Sequence, residues 1–122
     1  MPAVPVTSLG ECRYPSPVAG HVADDVRVPD QIHWRGGRPP EDPDLFEQAG
    51  PRARLFFDPA RTRAAIVTCG GLCPGLNNVI RSLVLQLHHG YGVRDILGYR
   101  DGYRGLDPAN GVEPVSLTLE RR

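Results

Sequence analysis

Residues 69–77 read Cys-Gly-Gly-Leu-Cys-Pro-Gly-Leu-Asn, between a short apolar run and an amphipathic one. The run before is Ala64-Ala65-Ile66-Val67-Thr68. It is continuous and partly β-branched, which suits a parallel strand buried on both faces. After it, Leu76, Ile80, Leu83, Val84 and Leu87 recur at helical spacing. Pro74 is expected in the first helical turn, where its missing N–H is no loss. The helix should run to His88 or His89 and close at Gly90 or Gly92. Asp95 to Tyr99 then reads as a second strand. Strand, helix and strand within about thirty residues predict a right-handed βαβ unit with a parallel sheet.

Proline and glycine divide the rest. Ten of 13 prolines fall in residues 1–60, and nine of 14 glycines in residues 61–122. The expected class is α/β: the start of a Rossmann-like parallel sheet, preceded by an irregular proline-rich arm. The arm is placed at 1–53 and an incomplete nucleotide-binding α/β domain at 54–122. Within the arm, Val26-Arg27-Val28 is a candidate short strand. Arg35 to Pro40 reads as a turn or loop, and Pro43 to Gly50 as one helical turn closed by Gly50. Trp34, Leu45 and Phe46 are its expected anchors on a larger body. Arg54 to Phe57 suggests a strand ended by a turn over Asp58 to Arg61. Val112 to Leu119 starts a third strand or a strand-to-helix passage.

Composition excludes several functions. Fourteen basic and 14 acidic residues cancel, which argues against a nucleic-acid footprint. Every basic residue is arginine, so no mechanism here uses a Walker A lysine or a lysine Schiff base. No apolar stretch has the ~20 residues of a membrane span, and the N-terminus does not read as a secretory signal. Cys12, Cys69 and Cys73 make an odd set, not a disulfide framework. A reducing cytoplasm is the simplest setting.

The glycine turn is the candidate site. A strand feeding glycines that open a helix lets backbone approach an anion. The helix start then offers unpaired N–H groups and its positive dipole end. The spacing fits neither the dinucleotide fingerprint nor Walker A, since Leu76 and Asn77 stand where Lys and Ser or Thr belong. A phosphate cradle and an ordinary tight turn both fit. Cys69 and Cys73 are expected as packed thiols: His88 and His89 sit ~20 Å away along the helix, too far to complete a zinc site. A nucleophilic Cys73 lacks an evident base. After the second strand, Arg100 to Leu106 is a glycine-flanked loop holding Tyr103 and Arg104. It should emerge at the same sheet edge as Gly70 and Gly71, where α/β folds keep their ligands. Tyr103 suits base stacking or a half-buried core position. Arg81, His21 and His33 read as surface residues.

Residues 65–81 resemble the nucleotide loop of 6-phosphofructokinases, in the plant and bacterial subgroup whose loop reads Gly-Gly-Leu-Cys-Pro-Gly-Leu-Asn. Gly98-Tyr99-Arg100-Asp101-Gly102-Tyr103-Arg104-Gly105-Leu106 resembles that family's next strand and Gly-Tyr loop. The resemblance spans roughly residues 54–119. It implies phosphoryl transfer to the 1-hydroxyl of fructose 6-phosphate in glycolysis, with Mg²⁺ and with ATP, or alternatively pyrophosphate, as donor. It puts Gly70 and Gly71 at the donor's phosphates and Tyr103 near the adenine, with Arg104 beside it. Arg81 matches an effector-site arginine of shorter bacterial enzymes, whose second effector arginine falls here on Leu85. The family's Gly-Gly-Asp metal loop and Thr-Ile-Asp-Asn-Asp catalytic motif do not occur in this sequence. No catalytic residue or metal ligand is therefore assigned. The chain reads as an amino-terminal fragment, inactive alone, of an enzyme that forms dimers or tetramers. A non-catalytic phosphate-binding fragment is the alternative.

Overall fold

The computed structural model describes residues 8–33, 35–37, 43–71 and 73–119. Trp34, the Arg38-Pro39-Pro40 part of the expected turn, and Leu72 lie outside the described residues, as do residues 120–122. The chain divides into two units, Met1–Phe56 and Phe57–Arg122.

The first unit holds four short strands: β1 (Tyr14–Pro15), β2 (Arg27–Pro29), β3 (Leu45–Glu47) and β4 (Arg54–Leu55). β1 pairs with β4 and β2 with β3, both antiparallel. Two-stranded ribbons have only edge strands, and edges tolerate proline; Pro15 and Pro29 sit there without conflict. The segment expected as a helical turn is instead β3, with Val28 opposite Phe46. A single turn fixes several dihedrals for one hydrogen bond. The extended form gains a ladder, flanked by Asp30 N–H to the Asp44 carbonyl at 2.9 Å and Gln48 N–H to the Val26 carbonyl at 3.2 Å. Arg52 braces the ribbon from behind, donating to the carbonyls of Gln48 at 2.6 Å and Ala23 at 2.9 Å. Leu45 and Phe46, the expected anchors, are both exposed.

The second unit begins with Asp58, whose side chain caps a 3-10 turn over Pro59–Arg61 by accepting from Ala60 N–H at 3.0 Å. Then come β5 (Arg63–Val67), α1 (Leu76–Leu85), β6 (Asp95–Tyr99) and β7 (Val115–Ser116). β5 and β6 are parallel, in register from Arg63 opposite Asp95 to Val67 opposite Tyr99. β7 runs antiparallel to β6. The unit is thus mixed α/β among the described residues, with one parallel strand pair and one α-helix, and the antiparallel β7 makes the sheet mixed rather than all parallel.

α1 starts at Leu76, with Gly75 as its N-cap. Pro74 therefore lies in the turn before the helix rather than in its first turn. At the far end the helix widens into one π turn over Gln86–Gly90, closed by Tyr91 N–H to the Gln86 carbonyl at 3.1 Å. Gly92 then takes a left-handed φ of 75°.

Val84, Val93 and Ile96 form the buried core, with Ala64, Ile66, Ile80, Leu87, Tyr91 and Leu117 packed around it. β5 alternates: Ala64 and Ile66 face this core, while Arg63, Ala65 and Val67 are exposed. The expectation of a strand buried on both faces is corrected. α1 covers one face of β5, and among the described residues nothing covers the other.

Candidate functional site

Because β5 and β6 are parallel, the loops after them leave from one edge of the sheet. The first carries Gly70 and Gly71, with φ of 76° and 111°. A Cβ on either would meet nothing within 4 Å. The backbone's left-handed course, not crowding, calls for glycine here, and it leaves the turn bare toward solvent.

Leu76 N–H reaches the Cys73 carbonyl at 3.3 Å and Val79 N–H the Gly75 carbonyl at 3.0 Å. No side chain caps the helix, and its first turn holds no acidic residue. Among the described residues, the Asn77 and Asn78 amides have no protein acceptor. Free donors at a helix start, on the positive end of its dipole, favour an anion. They open onto a cleft of about 580 Å³ lined by Gly71, Cys73, Pro74, Gly75, Asn77 and Asn78, among others.

The second loop folds as a 3-10 turn over Gly102–Leu106, entered through Asp101. Asp101 has a φ of 65°, the one positive value at a non-glycine among the described residues. Gly102 is buried, and its N–H donates to the Thr68 carbonyl at 2.8 Å. Thr68 N–H in turn donates to the Tyr99 carbonyl at 3.0 Å. A Cβ on Gly102 would lie 3.1 Å from Cys69 Sγ. Gly105 is also buried, and a Cβ there would collide with the Arg100 carbonyl oxygen. Between these two glycines, Tyr103 is 87% exposed. The Arg104 carbonyl accepts from Asn110 Nδ2 at 3.0 Å, which holds the turn closed, and its side chain is exposed.

The structure therefore brings Gly70 and Gly71 to the same sheet edge as Tyr103 and Arg104, with the loops joined through Thr68, Cys69 and Gly102. The half-buried alternative for Tyr103 does not hold. Cys69 and Cys73 are free and exposed, not the packed pair expected. The joining residues were missed in the sequence because they act across strands. The repeated glycines around Tyr103 were the one local signal.

The other titratable groups lie elsewhere. His88 and His89 stand at the far end of the helix, their rings 4.8 Å apart and edge-on. Partial burial, then Arg94, then His89 hold the His88 pKa below its ordinary value. Among the described residues no three His, Cys, Asp or Glu side chains group to hold a metal. No helix there is long and apolar enough to cross a membrane. Arg81 is exposed on α1 and borders a separate, mostly apolar cleft with Ile80, Leu85 and Leu117.

No family model matches the chain. Individual relatives do. An ATP-dependent 6-phosphofructokinase of Amycolatopsis methanolica is 46% identical over 129 residues, covering 94% of this chain and 28% of the relative. One from Borreliella burgdorferi is 40% identical, covering 92% of this chain and 27% of the relative. ATP-dependent 6-phosphofructokinase 2 of Arabidopsis thaliana is 57% identical over 68 residues, 56% of this chain and 15% of its own. The chain thus spans little more than a quarter of the length of the first two relatives. With such identity across nearly all of its residues, this chain belongs to the 6-phosphofructokinase family, as a portion of a longer family pattern.

Proposed function

We propose that this chain is the donor-nucleotide portion of a 6-phosphofructokinase. The whole enzyme would move the terminal phosphoryl group of ATP to the 1-hydroxyl of fructose 6-phosphate. The hydroxyl oxygen forms the new P–O bond and loses its proton; the bond to ADP breaks. The observation that carries this is the joining of the two loops at one sheet edge by Gly102 N–H and the Thr68 carbonyl, 2.8 Å apart. A bare glycine turn and a helix start then share one sheet edge with an exposed tyrosine, a pairing suited to a nucleoside polyphosphate. Gly70, Gly71 and the α1 amides take the phosphates, Tyr103 offers its face to the base, and Arg104 adds positive charge. The names of the relatives favour ATP over pyrophosphate.

On this reading β5, α1 and β6 begin a Rossmann-like sheet in a domain from residue 54, behind an arm of residues 1–53. The enzyme is cytoplasmic and a dimer or tetramer. The glycine turn offers no carboxylate for Mg²⁺, so these residues fit the ion only as a companion of the ATP phosphates. Phosphoryl transfer depends on positioned metal, base and charge clamps. The motifs that supply them are absent from this sequence, and the chain alone is inactive.

The test is formation of fructose 1,6-bisphosphate from fructose 6-phosphate by the full-length enzyme, with ATP and pyrophosphate compared as donors. ATP supports turnover. Gly71→Ala raises KM for ATP roughly tenfold or more, by straining the turn against its donor, and leaves KM for the sugar phosphate unchanged. Turnover with pyrophosphate alone, or by the isolated 122-residue chain, would overturn the reading.

A further inference from the structure

Gly102 stands out because it joins the two loops in two ways. Its N–H is bonded to the carbonyl of Thr68, the residue leaving β5, and a Cβ on it would lie 3.1 Å from the Sγ of Cys69, the next residue. Its φ of 58° turns the chain into the 3-10 helix that displays Tyr103. The preceding Asp101 is held in a left-handed conformation, which a non-glycine keeps only when its surroundings enforce it. The enforcing neighbours are visible: Gly102 on Cys69 behind it, and Gly105 against the Arg100 carbonyl ahead of it. Tyr103 is thus an exposed ring on a backbone fixed at both sides. The fixing point, at Thr68 and Cys69 just past β5, lies one and two residues before Gly70.

We infer that Gly102 is a positioning residue for donor selection: by seating on Cys69 and bonding Thr68, it sets Tyr103 at a fixed distance from the Gly70–Gly71 turn, so the site favours a nucleoside triphosphate over a bare polyphosphate. The inference rests on the proposed donor site. The phosphates alone define the first loop's contribution, and the base defines the second's. Only the joint between the loops turns two weak contacts into one selective site. No additional contact with the ligand is required of Gly102 itself.

Binding of ATP and of inorganic tripolyphosphate to the full-length enzyme, measured by titration calorimetry, separates these contributions. The wild type prefers ATP about tenfold, the scale of one aromatic stack on a base. Gly102→Ala brings a Cβ against Cys69 Sγ and abolishes that preference, while tripolyphosphate affinity stays within about twofold. Adding Cys69→Ala to Gly102→Ala removes the opposing sulfur and restores part of the preference. A purely structural defect would weaken both ligands together and would not be rescued by a second truncation. An unchanged ATP preference in Gly102→Ala, or equal loss of both ligands without rescue, overturns the inference. A wild type that binds tripolyphosphate but shows no preference for ATP also overturns it, with the phosphate site left standing. A wild type that binds neither ligand removes the donor site on which it rests.

Discussion

Arg63 and Asp95 face each other in register at the start of β5 and β6, and their side chains are ion-paired. The pair lies at the end of the strands opposite the Gly70–Gly71 turn and the Gly102–Leu106 loop. It marks the register of the parallel pair without touching the candidate site. Both side chains are substantially exposed, at 71% and 46%. Exposed ion pairs contribute little to stability, because solvent and salt screen them and ordering the side chains costs entropy. Arg63→Gln should therefore leave the melting temperature nearly unchanged, and the small effect should vanish in high salt. Donor binding should not change. A salt-independent loss of fold would show that the pair sets the register rather than marking it.

Ile96 is the opposite case. It is 1% exposed, at the centre of a core whose other buried hydrophobic residues, among the described residues, are Val84 and Val93. Truncation removes transfer energy and leaves a cavity that so small a core cannot collapse around without losing its other contacts. Ile96→Ala should cost about 2–5 kcal/mol, and Ile96→Val about 0.5–1.5 kcal/mol. Urea unfolding followed by circular dichroism gives both values. A cost below about 1 kcal/mol for Ile96→Ala would mean the core is held from outside these elements.

How much of this was legible in the sequence depends on the range of the forces involved. β6 was readable residue for residue at Asp95–Tyr99, since its apolar pattern and its own core contact agree. α1 was readable because Ile80, Val84 and Leu87 lie on one face. Its start was misplaced by two residues, since Pro74 suits both a first helical turn and the turn before it. β3 was not readable. Leu45 to Glu47 carries no alternation strong enough to outweigh a local helical reading, and its partner lies 18 residues upstream at Pro29 to Arg27. The glycines of the first loop were legible as a turn from their own backbone needs. Gly102 and Gly105 were legible as flanking a loop, but not what they accommodate, which is Cys69 across the strand pair and the Arg100 carbonyl inside the fold.

His88 gives the second unit a pH dependence of known sign. Partial burial is the first cause, with Arg94 and His89 adding to it, and the pKa in the fold lies below the ordinary 6.5. Above 6.5 the ring is neutral folded or unfolded, and its contribution to stability is fully present. As pH falls through the lowered folded value, the unfolded chain takes up the proton more readily, and that contribution is lost. Stability should therefore rise with pH across this window and level off above it. His88→Gln should flatten that part of the profile. Thermal melts at intervals from about pH 5 to 8 would show it. A profile that falls with pH in the wild type would contradict the assignment.

Asp101 carries strain that a substitution series can read. Its φ of 65° lies where a side chain crowds the backbone, and its side chain makes no cap to the 3-10 turn that follows. Aspartate and asparagine tolerate this region better than other residues, and β-branched residues tolerate it worst. Asp101→Val should destabilise the second unit by about 1–2 kcal/mol. Asp101→Gly should be close to neutral, because relief of strain is offset by the extra freedom of glycine in the unfolded chain. Asp101→Asn should resemble the wild type. The same series read by ATP affinity separates backbone from charge. If the loop's course is what matters, glycine and asparagine keep affinity and valine loses it. If asparagine and glycine both lose affinity while stability holds, the carboxylate itself takes part in binding, and the positive φ is incidental.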